Sequence, residues 1–174
     1  MPPLATKDSI ITGQIVSFHG DPFLMPPTEA VTVSHGALLI SAGRIAQISD
    51  VTTLCAAHPN LPVIDHGDAL IAPGFVDSHA HYPQTGIIAS WGKRLIDWLN
   101  TYTFPEEQRF GDAAYAREIA ATYLDFLLAN GTTSVASFCT IHPESVDALF
   151  EAAQTRGMRI VAGKTCMDRD TAPQ

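Results

Sequence analysis

The sequence predicts an α/β fold: a small β-sandwich-like unit over residues 1–72, then over 73–174 the first three strands of a (β/α)8 barrel. Three observations carry this. Residues up to about 70 form short apolar runs broken by Gly and Pro, with one clear hairpin signal. From residue 73 onward, apolar strands alternate with helical segments, the order that builds parallel β-α units. A whole barrel needs eight strands and roughly 250 residues. Three barrel-type strands are visible, at 74–79, 134–139 and 159–164, so the expectation is a truncated barrel.

In chain order, "IITGQIVSF" (10–18) is rich in β-branched residues and reads as a strand. "DPFLMPPTEA" carries three prolines and reads as a loop. "ALLISAGRIAQI" (37–48) is two apolar runs around Ser41-Ala42-Gly43-Arg44, a hairpin. "LPVIDHGDALIAPGF" reads as two short strands separated by His66-Gly67-Asp68, and the unit is expected to pack sheet on sheet. In the second part, "GFVDSHAH" is a strand and "KRLIDWLN" (93–100) a short helix. "GDAAYAREIAATYLDFLLANG" places Tyr115, Ile119, Tyr123, Phe126 and Leu127 at helical spacing, with Asp112 as N-cap and Gly131 just past the C-terminus. Tyr115, Tyr123 and Phe126 are taken to face the core. "TTSVASFCTIH" is a strand, "PESVDALFEAAQTRG" a helix opened by Pro143 and closed by Gly157, and "MRIVAGKTCMD" a strand.

Composition excludes several classes. Hydrophobic residues make up 46% and charged residues 16%, a balance that builds a packed core. Net charge is −8 and no Lys/Arg cluster occurs, so nucleic-acid binding is not expected. The N-terminal "MPPLATKDS" lacks a basic stretch followed by an apolar one, and no apolar run nears the roughly 20 residues that span a bilayer. Three widely spaced cysteines, Cys55, Cys139 and Cys166, suit buried thiols in a reducing compartment. A cytoplasmic protein with no membrane association is the expectation.

The chemistry concentrates in "PGFVDSHAHYPQ" (73–84). Side chains alternate faces along a strand, so His79 and His81 point the same way, at the strand end where a β-α barrel carries its chemistry. Two neutral imidazoles from one segment suit Zn²⁺ or another borderline divalent metal. Asp77 falls on the same alternation and is expected to support them. The bland alternative is two imidazoles satisfied by backbone carbonyls at a strand end.

"APGFVDSHAH" after a β-rich unit resembles the amidohydrolase superfamily, a metal-dependent hydrolase family whose first barrel strand ends in His-x-His. "HYPQTG", "WLNTYTFPEEQRF", "NGTTSVASFCTIHPESVDALF" and "RIVAGKTCMDRD" resemble its guanine deaminase branch more specifically, from about residue 73 to 169 and more weakly through the β unit. The resemblance implies a zinc-dependent aminohydrolase of purine catabolism that converts guanine to xanthine and ammonia. It implies one Zn²⁺ per site, with His79 and His81 as metal ligands. His81, Tyr82, Pro83 and Gln84 would line the substrate pocket, Gln84 facing the purine's hydrogen-bonding edge. Trp91 and Leu95 are further candidates for pocket packing. The family's remaining ligands (two His and an Asp), its catalytic Glu and its guanine-holding Arg-Phe pair lie on later strands, beyond residue 174. The catalytic residues are therefore expected outside this chain, which by itself should be inactive; a homodimer is implied for the complete protein. The alternatives are an amidohydrolase deaminase or chlorohydrolase acting on another aminated ring, and a non-catalytic fragment.

The other polar residues have plainer readings. His142, before Pro143, is expected to be a solvated loop residue, and His19, His35, His58 and His66 to lie on the surface. Glu106 and Glu107 after Pro105 are expected to open a helix, where its dipole favours carboxylates. "GMRIVAGKT" has five residues, not four, between its first glycine and Gly-Lys-Thr, so it is no phosphate loop.

Overall fold

The β-rich start of the chain is organised around β1 (Ser9–Phe18), which pairs antiparallel with β2 (Val31–Ser41) and parallel with β4 (Val63–Ile71). With β3 (Arg44–Ser49) hairpinned to β2, the order is β3-β2-β1-β4. The computed structural model describes residues 7–168 and divides into two units between Pro73 and Gly74. The N-terminal stretch 1–6 and the end of the "RIVAGKTCMDRD" segment, Arg169 and Asp170, lie outside the described residues.

In the first unit the β2–β3 turn places Ala42 and Gly43 at φ 50° and 73°, the left-handed pair that matches hairpin twist. The proline-rich stretch expected as a loop contains one helical turn, α1 (Pro27–Ala30), with Pro27 at its first position. A second helix, α2 (Val51–Ala57), is an addition to the sequence reading. Asp50 caps it, accepting from the Thr53 N–H at 2.8 Å. Its Leu54 is buried with Ile10, Ala37 and Leu39. The unit is thus one sheet covered by a helix among the described residues, not two packed sheets. His58, expected at the surface, is half-buried and closes α2 through its backbone N–H on Leu54 O.

The two short strands expected around His66-Gly67-Asp68 are one strand, β4, carrying an irregularity. The β1–β4 register shifts between Thr12 and Gln14, and Gly67 sits at φ 56°. Asp65 holds this kink, accepting from Thr12 Oγ1 at 2.7 Å and from the Gly67 N–H at 3.0 Å. A bulge absorbs the turn-forming residues without ending the strand.

The second unit is a three-stranded parallel sheet, β5 (Phe75–His81), β6 (Thr132–Phe138) and β7 (Arg159–Gly163), in chain order. α5 (Ala113–Ala129) and α6 (Pro143–Arg156) cover one face. Asp112 caps α5 by accepting from the Ala114 N–H, and Gly131 follows its end at φ 81°; Gly157 closes α6 at φ 68°. Both are the left-handed positions that glycine fills most cheaply. The core joins Ala116, Ala120, Tyr123 and Leu124 of α5 to Val135, Ala148, Leu149 and Ala153. Alanines on both helices allow close approach. Phe126 is not core-facing: it is 53% exposed, because the buried stripe runs through 116, 120, 123 and 124 and leaves 126 off it.

Between β5 and α5 the backbone forms a short turn, then a non-helical stretch over 88–94, then a helical run from Leu95. A 3₁₀ turn (Tyr82–Ile87) precedes α3 (Leu95–Trp98), a π turn (Leu99–Thr103), α4 (Phe104–Gln108) and another 3₁₀ turn (Arg109–Gly111). The helical run from Leu95 has no break at Pro105, since Thr103 and Phe104 are both in the right-handed helical region. Glu106 and Glu107 therefore do not sit at a free helix N-terminus. Glu106 is buried, and its carboxylate accepts from Arg109 Nη1 at 3.0 Å and from the Tyr115 hydroxyl. The Arg109 guanidinium lies over the Tyr115 ring at 3.7 Å. No helix among the described residues is long and apolar enough to cross a membrane.

Candidate metal centre

The site is set by how β5 pairs with β6. Asp77 is opposite Val135, Ala80 opposite Ser137 and His81 opposite Phe138. Ser78 and His79 of β5 thus run against Ala136 alone, a bulge between Asp77 and Ala80. Asp77 Oδ1 accepts from the His79 N–H at 3.1 Å across it. Val135 and Ser137 are buried beneath the helices, so Phe138, on the alternate face of β6, points to the open side, and His81 with it. Asp77, opposite Val135, is turned toward the helix layer. This corrects the expectation that it shares the histidines' face; the inserted residue reverses the alternation.

The two imidazoles lie side by side. Their centroids are 5.2 Å apart with planes at 78°. The Phe138 ring stacks on His81 at 4.8 Å and 18°, and meets His79 edge-on at 5.7 Å and 74°. His79 is exposed; His81 is half-buried, and burial first, then the neighbouring His79, holds its pKa below the ordinary value. Both effects favour the neutral ring, the form that donates a lone pair to a metal. A cleft of about 300 Å³ runs along this open face, lined by Ser78, His79, Ala136, Phe138, Val161 and Lys164 among others. Among the described residues no group of three or more His, Cys, Asp or Glu side chains converges, so the pair is a partial donor set.

Other expected site residues divide. Gln84 is half-buried in the 3₁₀ turn and borders a second cavity of about 410 Å³ with His81, Trp98 and Phe126. Burial pushes Glu107 up from the ordinary carboxylate value, against the opposing effect of the Gln84 carboxamide. Tyr82 and Pro83, expected in the pocket lining, have side chains fully buried in the second unit. The Tyr82 N–H donates to Ser137 Oγ at 3.0 Å, and its hydroxyl donates to Ser145 O at 2.6 Å. Leaving the strand into a 3₁₀ turn swings Tyr82 under the helices. Trp91 and Leu95 are 75% and 72% exposed and line neither cavity; Trp98, one turn along, borders the second.

His142 is not solvated. It is half-buried at the N-cap of α6 with its ring against Gly111, and its Nε2 is buried without a hydrogen-bond partner among the described residues. Of the cysteines, Cys139 is buried and its thiol is pushed up to about 11 by burial. Cys166 is exposed and Cys55 half-buried, so the expectation of three buried thiols holds only for Cys139. Sequence reasoning missed Phe138 and Trp98. The signal for Phe138 is its register with His81, which exists only once the strands are paired.

A parallel β-α sheet whose first strand ends in paired imidazoles, one of them lining an open cleft, is part of a metal-dependent hydrolase fold. Residues 70–173 match the amidohydrolase family, and the chain belongs to it. It is 45% identical, over 79% of its length, to guanine deaminase of Escherichia coli (strain K12), covering 32% of that protein. It superposes on the crystal structure of guanine deaminase from Bradyrhizobium japonicum with TM-score 0.89 and 35% identity, covering 95% of this chain and 36% of that one. Guanine deaminase from C. acetobutylicum, solved with guanine bound in its active site, matches with TM-score 0.77 and 31% identity over 94% of this chain and 39% of its own. The chain spans about a third of the length of the curated relatives it matches.

Proposed function

We propose that this chain belongs to a guanine deaminase and contributes two of its metal ligands and part of its purine pocket. The reaction is hydrolytic: guanine and water give xanthine and ammonia. The observation that carries the reading is the pair His79 and His81, 5.2 Å apart on the open face of the sheet, in a chain so similar to guanine deaminases.

The donor set fits a zinc ion in part. Catalytic zinc sites use three protein ligands and an open position, and two neutral imidazoles supply two of them. When bound, zinc supplies Lewis acidity toward water near neutral pH. The remaining work of this chain is recognition. Gln84 borders the second cavity near Glu107, and its carboxamide can offer both a donor and an acceptor to a purine edge. A buried edge of that kind discriminates strongly, because a mismatched ring leaves the groups unpaired.

The test uses the complete protein. His79→Ala and His81→Ala should each lose most bound zinc and most ammonia release from guanine. Gln84→Ala should weaken guanine use while bound zinc stays near normal; loss of zinc in that variant counts against its assignment. Turnover of adenine, cytosine or a triazine in preference to guanine would replace the substrate with another aminated ring.

A further inference from the structure

We infer that Phe138 is a positioning residue for the metal ligands, holding both imidazoles in place before a metal arrives. The inference rests on the reading of His79 and His81 as ligands and adds to it a residue from a different strand.

Phe138 lies on the face of the sheet opposite α5 and α6, in register with His81; it stacks on that imidazole at 4.8 Å and 18°, and meets His79 at 5.7 Å and 74°. One phenyl ring thus touches both imidazoles. The ring contacts of the two imidazoles are with each other and with Phe138. A histidine ligand elsewhere is commonly oriented by a hydrogen bond from its second ring nitrogen. Here a flat wall does the equivalent. Stacking holds the His81 ring within 18° of parallel to the phenyl face, so the phenyl does not cover the ring edge on which the nitrogens lie. The parallel β5–β6 ladder keeps the wall at a constant distance, since both residues are anchored by backbone pairing.

Residues that orient ligands without touching the metal change affinity by about tenfold to a hundredfold when removed. The experiment compares Phe138→Ala, Phe138→Leu and Phe138→Tyr in the complete protein. The readouts are zinc affinity by chelator competition and the visible absorption of the Co²⁺-substituted protein. His79→Ala and His81→Ala run alongside, with circular dichroism to confirm folding. Phe138→Ala should weaken zinc about tenfold or more and broaden the Co²⁺ bands, Phe138→Tyr should restore both, and Phe138→Leu, which keeps apolar bulk without a flat face, should resemble Ala. Wild-type affinity and spectrum in Phe138→Ala overturn the inference, as does full rescue by Leu, which would make the role one of bulk alone. If His79→Ala and His81→Ala also leave zinc unchanged, the ligand assignment itself fails. If they abolish binding while Phe138→Ala does not alter it, only the positioning role fails.

Discussion

Tyr82→Phe separates a core role from a pocket role with one atom. The hydroxyl donates to Ser145 O at 2.6 Å inside the core, tying the exit of β5 to the first turn of α6. Ser145 is the third residue of α6, so its carbonyl also accepts an intrahelical bond and is not orphaned by the change. The penalty of a stranded buried acceptor, about 1–3 kcal/mol, therefore does not apply. What remains is the net value of one buried hydrogen bond, about 1 kcal/mol, with the ring still filling its place against Phe110 at 5.3 Å. Thermal unfolding of the complete protein followed by circular dichroism should show a small fall in Tm, and KM for guanine should match the parent. If Tyr82 instead lined the pocket, the same variant would raise KM and leave Tm alone. That second pattern refutes the assignment of Tyr82 to the core.

Leu124→Ala, at a fully buried position in the α5–α6 core, should cost about 2–5 kcal/mol, read as a large drop in Tm. Gly131→Ala should cost more than Gly157→Ala. Both sit at positive φ, worth about 1–2 kcal/mol to a residue with a Cβ, but only at Gly131 would the new Cβ meet a neighbour, the Phe75 ring at 3.3 Å; equal Tm losses would contradict this. Asp65 should confer acid sensitivity on β4. The Gly67 N–H, then the Thr12 hydroxyl, lower its pKa below 3.8, so its stabilisation is complete above the unfolded value and lost as pH falls through the lower folded one. The protection of the Gly67 amide against hydrogen exchange, taken relative to the unstructured-chain rate at each pH, should fall in acid, and this pH dependence should flatten in Asp65→Asn.

Much of the architecture was legible because it rests on local chemistry. Asp112 and Gly131 bracket α5, Pro143 and Gly157 bracket α6, and the strands between them follow from apolar runs. α2 was missed because "VTTLCAA" is rich in β-branched residues, and its one local signal, Asp50, is a weak prior without the sheet that buries Leu54. The break read at His66-Gly67-Asp68 was turn chemistry absorbed by a bulge, since pairing with β1 outweighs a local turn preference.

At the site the division is sharper. The sequence by itself determined that His79 and His81 share a face at the end of a strand, because two residues of extended backbone return a side chain to the same side. It also determined the family, through segments distributed from Pro73 onward. It did not determine which way Asp77 faces, that Tyr82 and Pro83 turn inward, or that Phe138 stands against both imidazoles. Those were decided by the tertiary structure. A bulge inverts alternation only relative to a partner strand, a 3₁₀ turn buries what the helices beyond it cover, and residues 57 positions apart become neighbours only through the parallel register of His81 with Phe138.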